Sequence, residues 1–389
     1  MKILLYLDRV LIADVNTIAK NRKLEESLKS EQTSATSDQF SFEMNWLQFK
    51  RLAEKRFDED PMSLLRIGKT RVVFMVDDYV RFSGWLAVRP ARSDVGMHQT
   101  LSLTFYEHFA RLSGDLVCDP SNKMSPIRRF TDRPAHLFVQ DLINEFLARA
   151  RAAGEQLNWT YGIVNQLSGK TFEYKDFQTI SKALCDAMNN VEGAGKFDVV
   201  IRTDPDNHNH QIIDILKPRG TDTNFIIRYP GDGVYALWAS GYEYEESNEY
   251  ASEVLVSGNG EVGNPATGEN TAQLGGAADV NAVAEYCYWR TYTMQSNLTT
   301  ALAVQAYADK ALAAATFEKL TPKLKLQGLP IRWGDTSTGL SIGDTFYLKD
   351  EADDGADKSG RMRITAMSTE YDNNGVATVQ PTLKRVGYA

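Results

Sequence analysis

The sequence is poor in the residues on which most catalytic and metal chemistry depends. Of 389 residues, 3 are cysteine and 5 histidine. Cys118, Cys185 and Cys287 are odd in number and far apart, so they build neither a disulfide framework nor a Cys-x-x-Cys zinc site. They read as buried thiols of a chain folded in a reducing cytoplasm. A basic surplus is missing too: 43 Lys and Arg stand against 51 Asp and Glu, a net charge of −8. That balance argues against a surface built to grip nucleic acid through clustered cations. No apolar run approaches the roughly 18 residues of a membrane-spanning helix, and the mean hydropathy is −0.36. The opening run Met1–Asp8 meets charge too soon for a signal peptide and reads as a first β-strand. Without a leader, the sequons at Asn158-Trp159-Thr160 and Asn297-Leu298-Thr299 read as chance matches.

What is present is ample material for a core, with 43% hydrophobic and 10% aromatic residues, a composition too apolar for a disordered chain. The length suggests two to four domains. Charge is unevenly spread. Residues 1–200 hold 27 basic and 26 acidic side chains, whereas residues 201–389 hold 16 and 25. The acidic excess therefore sits in the second half.

The patterning divides the chain. Residues 1–115 are strand-rich. Phe40-Ser41-Phe42-Glu43-Met44 alternates apolar and polar, Arg71–Val76 and Tyr79–Val88 flank a tight turn at Asp77-Asp78, and Leu101–Tyr106 alternates again. One amphipathic helix is predicted over Leu47–Phe57. Residues 116–217 form an α+β module. Its helices are predicted over Pro134–Ala153, closing on Gly154, and over Asp176–Met188, and its strands over Leu157–Val164, Phe197–Arg202 and Gln211–Leu216. Residues 218–257 and 325–389 return to strands. Residues 258–324 read as an insertion, with a loop rich in Gly, Asn, Ala and Thr at 258–280 and a helix over Leu298–Ala315. The fold class is α+β, mainly β: two similar small β-barrels with the module between them and the insertion in the second.

Candidate sites dissolve on inspection. Gly258-Asn259-Gly260-Glu261-Val262-Gly263 matches GxGxxG and has Asp279 downstream, but the fingerprint needs a helix to follow, and Asn264-Pro265-Ala266-Thr267-Gly268 cannot start one. Asp204, Asp206, His208 and His210 could offer metal ligands, yet Asp204-Pro205-Asp206-Asn207 is turn chemistry, and such side chains are ordinary at a hairpin tip. Glu243 and Glu245 share one face of a strand, and Glu246, Glu249 and Glu253 follow closely. Glycoside hydrolysis needs two carboxylates across a cleft. Asp350, Glu351, Asp353, Asp354 and Asp357 resemble a calcium loop in composition, but the twelfth position holds Arg361 where an EF-hand has Glu. There is no GxSxG, and His108 and His136 sit where packing or capping suffices. The expectation is no catalytic residue, no cofactor-binding residue, no metal ligand, no cofactor and no enzyme.

Family resemblance adds what motif chemistry does not. Phe40-Ser41-Phe42-Glu43, then Val76-Asp77-Asp78-Tyr79-Val80-Arg81-Phe82-Ser83-Gly84-Trp85-Leu86, then Leu101–Leu112 with Tyr106-Glu107-His108-Phe109-Ala110-Arg111-Leu112, resemble phage tail hub proteins. Leu340-Ser341-Ile342-Gly343-Asp344-Thr345-Phe346-Tyr347-Leu348 resembles that family's barrel-closing Gly-Asp strand, with Gly360–Ile364 and Gly375–Lys384 after it. The family includes contractile-phage baseplate hubs, the N-terminal part of tail-associated lysins and the type VI secretion spike base. The resemblance implies a virion protein assembled in the host cytoplasm, a homotrimer whose six barrels match a six-fold tail tube. It also implies partners (a distal tail protein, the tape-measure protein and receptor-binding proteins) and DNA passing through the lumen without specific binding. Lysin members carry a hydrolase or fibre after the hub, whereas this sequence stops at Ala389, which favours a purely structural hub. A tail-associated peptidoglycan hydrolase is the alternative. A glycan-binding module stacking sugars on Tyr235, Trp238, Tyr242 and Tyr244 is another.

Overall fold

The structure is a computed structural model. It describes residues 1–31, 38–54, 60–76, 79–88, 90–95, 98–119, 125, 127–174, 176–189, 197–217, 219–229, 239–245, 252–258, 273–278, 291–296, 300–316, 321–327, 340–350, 360–372 and 377–386. The architecture is α+β and mainly β, as the sequence predicts. The chain divides into two compact units, Met1–Tyr242 with Lys323–Ala389, and Glu243–Pro322.

The N-terminal run gives a hairpin of β1 (Lys2–Leu7) and β2 (Val10–Asp14). Its turn residues Asp8 and Arg9 have φ of 46° and 77°, the left-handed pair that a two-residue type I′ turn requires. Neither is the Asn or Gly that announces such a turn, so the sequence shows one strand where there are two. Next come β3 (Ala19–Ser27), β4 (Gln39–Asn45), α1 (Trp46–Glu54), β5 (Thr70–Val76), β6 (Tyr79–Leu86), β7 (Ala91–Val95) and β8 (His98–Glu107). β4 alternates as predicted, burying Phe40, Phe42 and Met44. Phe40 stacks on Phe74 of β5 with ring centroids 4.5 Å apart. β5 and β6 pair as a hairpin up to Val76 and Tyr79, although Asp77-Asp78 lie outside the described residues.

The module comprises β9 (Leu116–Val117), β10 (Arg128–Pro134), α2 (Ala135–Ala152), β11 (Trp159–Val164), β12 (Gly169–Tyr174), β13 (Gln178–Thr179), α3 (Ile180–Asn189), β14 (Asp198–Thr203) and β15 (Gln211–Leu216). α2 ends as predicted, with Gly154 at φ 84° supplying the left-handed residue of a helix C-terminus. α3 begins later than predicted, because Gln178-Thr179 pair with Val117 and Leu116 instead of coiling. β15 lies between β11, parallel, and β14, antiparallel. One face of this sheet turns Val199, Ile201, Ile213 and Ile215 onto Phe138 and Leu142 of α2 and Leu184 of α3. The 3₁₀ turn His108–Gly114, which follows β8, sends Phe109 and Leu112 into the same core. The first β region is thus plugged into the module.

β16 (Asp222–Tyr229) and β17 (Ala239–Glu245) follow. The second unit contains β18 (Glu253–Ser257), β19 (Leu274–Ala278), β20 (Thr291–Gln295) and α4 (Ala301–Thr316). β18 is antiparallel to β19 and parallel to β20, and Val254 and Val256 pack on Val304 and Ala308 of α4. The chain then returns through β21 (Thr321–Gln327), β22 (Thr345–Asp350), β23 (Gly360–Tyr371) and β24 (Ala377–Arg385). β16 joins β22 in parallel, and β22, β23 and β24 form an antiparallel meander. β23 also pairs with β3, from Ala366 opposite Ser27 to Tyr371 opposite Arg22. The two β regions therefore share one sheet, ordered β21–β24–β23–β3–β4–β8–β6–β5–β1–β2.

Candidate functional site

Where β3, β6, β8 and β14 cross, seven described side chains of Lys, Arg, Asp and Glu are buried. Glu26 ends the inward row of β3, Lys29 opens a 3₁₀ turn after it, Asp38 precedes β4, and Arg81 lies on β6. Glu107 ends β8, Asp198 begins β14, and Arg219 follows β15. The Lys29 ammonium is 2.9 Å from Asp38 Oδ1 and also contacts Glu107 Oε1. The Asp38 N–H donates to that same Glu107 oxygen over 3.0 Å. Arg81 grips Glu26 with two nitrogens, one at 2.7 Å, and Tyr371 of β23 hydrogen-bonds the same guanidinium. Arg219 Nη1 donates to Asp198 Oδ2 over 3.0 Å, while Asp198 Oδ1 accepts from the Lys29 N–H at 3.1 Å. The cluster ties both β regions to the module.

Burial and pairing compete within the cluster. Burial alone would lower Lys29, but the Asp38 and Glu107 carboxylates hold it above its ordinary value. Burial and then the Asp38 charge push Glu107 up to about 7 against the pull of Lys29. Burial raises Glu26 and lowers Arg81; the partner's charge outweighs burial for Arg81 but not for Glu26. The fork-on-fork geometry, with each guanidinium nitrogen on its own oxygen, is that of an ionised carboxylate.

Beside the cluster is a cavity of about 400 Å³. Glu26, Arg81, Glu107 and Arg219 line its inner end, and Ile163, Val200 and Leu216 line the wall made by the module's three-stranded sheet. That wall is the sheet's other face, away from the helices. It carries one ion pair, Arg202 Nε to Asp214 Oδ2 at 2.6 Å, and Asp214 Oδ1 also accepts from the Ile163 N–H at 2.7 Å.

The sequence candidates do not converge on this cavity. His210 Nδ1 pairs with Asp204 Oδ2 at 2.9 Å, whereas His208 Nδ1 faces the Tyr6 hydroxyl at 3.0 Å. Asp204 Oδ1 closes a turn by accepting from the Asp206 N–H. Among the described residues no group of three or more His, Cys, Asp or Glu could hold a metal. His108 is fully buried; Trp85 Nε1 donates to its Nδ1 at 2.8 Å, so Nε2 carries the proton and meets Ser83 Oγ at 3.1 Å. Burial, then Arg71 and Arg111, hold its pKa well below the ordinary value. Ser83→Ala would leave that buried N–H without its acceptor, with an expected loss of about 1–3 kcal/mol in urea unfolding. His136 Nδ1 accepts from the Leu167 N–H at 3.0 Å. Cys118 and Cys185 are buried free thiols, and burial pushes Cys185 up to about 12.

Glu253 Oε2 accepts from the Thr291 hydroxyl at 2.6 Å. Glu243, Glu245, Tyr242 and Tyr244 lie on β17, with side chains outside the description. Glu246, Glu249, Tyr235, Trp238, Glu351, Asp353, Asp354, Asp357, Asp279, Cys287 and the Asn297 sequon lie outside the described residues. So does the GxGxxG run beyond Gly258, whose N–H donates to the Gln273 carbonyl.

The Gly-Asp pair singled out by the sequence has a structural explanation. Gly343 and Asp344 form the turn before β22 rather than part of the strand. Gly343 has φ 93° and lies against Gly220, at φ 88°. The Asp344 carboxylate accepts from the N–H groups of Thr221 and Ser341, both at 2.7 Å.

Solved structures of tail proteins share this arrangement. The chain superposes on the 43 kDa tail protein of prophage MuSo2 from Shewanella oneidensis with a TM-score of 0.67 and 14% identity, over 99% of this chain and 98% of that one. A tail protein from Neisseria meningitidis MC58 matches at 0.60 with 12% identity, covering 98% and 96%. The prophage tail protein gp18 from Listeria monocytogenes EGD-e matches at 0.53 with 11% identity, covering 98% and 94%. No protein-family model matches the sequence, and no curated protein matches it either. The chain has the fold of these tail proteins.

Proposed function

We propose that this protein is a structural hub subunit of a phage tail tip, without enzymatic activity. The observation that carries the reading is end-to-end similarity to a tail protein, 99% of one chain on 98% of the other. In this reading residues 1–115 form one small β-barrel, and 218–257 with 325–389 form a second. The module 116–217 lies between them, and 258–324 is an insertion of the second. Three copies assemble around a lumen that continues the tail tube, opens for DNA ejection, and bears distal tail, tape-measure and receptor-binding proteins. Part of the acidic excess of residues 201–389, 25 acidic against 16 basic side chains, faces that lumen, where like charge lets phosphate slide without salt-bridge traps.

Light scattering on the purified chain, and on tail tips isolated from particles, tests the assembly. The expected mass is three times the 43.6 kDa of one chain. A chain that is monomeric at every concentration and sits in tail tips in a number other than three or its multiples would overturn the reading.

A further inference from the structure

We propose that Lys29, Asp38 and Glu107 form a proton-loaded latch: a proton held on Glu107, with the Asp38 carboxylate beside it on the same ammonium, keeps the first β region closed on the α+β module, and its release loosens that joint. The geometry makes the case. Two carboxylates rest on one ammonium, and the Asp38 N–H bonds the Glu107 carboxylate as well. The surrounding charges are Glu26 and Arg81 from β3 and β6, Asp198 from β14 and Arg219 after β15, with the Cys185 thiol of α3 and neutral His108 nearby. Among the described residues, four carboxylates face three fixed cations, a surplus of one buried negative charge. Crowded carboxylates in such a site resolve the surplus by keeping a proton.

The location gives that proton mechanical leverage. Glu107 is the last residue of β8 before the 3₁₀ turn that carries Phe109 and Leu112 into the module core. Lys29 is joined through its own N–H to Asp198 at the start of β14. The cavity of about 400 Å³ lined by Glu107 gives solvent protons a route to the pair. The proposal stands on the joint alone and does not rest on the hub reading.

The sign follows from Glu107, raised from 4.5 to about 7 on folding. Its contribution is complete below the unfolded value and is lost as pH rises through about 7. Between about pH 5.5 and about pH 8 the opening equilibrium should grow about 30-fold. Amide hydrogen exchange, corrected for its intrinsic pH dependence, should show that loss of protection at residues 27–31 and 198–203 of the native chain. Glu107→Gln, which keeps the acceptor for the Asp38 N–H, should abolish the pH dependence. Should that variant not fold, Asp38→Asn and direct carboxyl NMR of Glu107 in the native chain decide. A Glu107 midpoint near 4.5 overturns the latch. So does protection that is unchanged with pH at those residues, or lost equally in a folded variant.

Discussion

Replacing Arg81 with methionine is expected to destabilise the protein by about 3–5 kcal/mol, the usual cost of stranding one member of a buried ion pair. The Arg81 and Glu26 side chains are 3% and 2% exposed. Glu26→Leu strands the guanidinium instead, and the two losses should differ in their pH dependence for a chemical reason. A stranded carboxylate can relieve itself by taking a proton, whereas a stranded guanidinium cannot release one. The cost of Arg81→Met should therefore shrink as pH falls, and that of Glu26→Leu should not. Combining the two should recover most of the loss, because two apolar side chains of similar volume replace the pair without burying a charge. Urea unfolding of the singles and the double at several pH values reads all of this. Single losses below about 1 kcal/mol, typical of exposed pairs, or strictly additive losses in the double, would show that the pair is not a buried unit.

A cluster of this kind contributes orientation more than net stability. Arg81–Glu26 joins β6 to β3, Lys29 joins Asp38 to Glu107, and Asp198 joins Lys29 to Arg219. Each bond is satisfied in one arrangement of sheet and module only. An apolar joint of the same area would tolerate sliding, since burial is roughly proportional to area and indifferent to direction.

That same cluster explains where the sequence falls short. Periodicity finds α2, β4, β8 and the β14–β15 hairpin because apolar residues mark one face of each. It does not find β3, whose inward positions are Ala19, Arg22, Leu24 and Glu26; two buried charges break the alternation. The β3–β23 pairing brings residues 22–27 against 366–371, and the β16–β22 pairing brings Asp222 to Thr345. No local pattern encodes register at such separations. His208 and His210 attract notice as a site because histidine is rare here, with 5 in 389 residues, yet hydrogen bonds send them apart, to Tyr6 of β1 and to Thr160 of β11. The buried cluster, by contrast, is built from Lys, Arg, Asp and Glu, the residue types that composition assigns to the surface. The phage tail resemblance was legible from order and spacing along the chain.

Gly343→Ala is expected to cost about 2–5 kcal/mol, combining the left-handed backbone penalty with the displacement of packed atoms. Gly343 sits at φ 93°, and a Cβ there would overlap the Arg219 carbonyl; a Cβ at Gly220 would overlap the Gly343 carbonyl in turn. The two backbones approach this closely because Asp344 pulls them together, accepting from Thr221 on one side and Ser341 on the other. Asp344→Ala should then cost about 1–3 kcal/mol by leaving those N–H groups unanswered. Gly114→Ala is the matched control: a Cβ there meets nothing within 4 Å, and the change should stay within about 0.5 kcal/mol. Since the Gly343 contact bears on the backbone of Arg219, whose side chain holds Asp198, Gly343→Ala should also weaken amide protection at the start of β14. A loss confined to β22 and β23 would mean that the clamp and the buried charges are independent. Loss at both places would make the Gly-Asp turn the outer support of the joint between sheet and module.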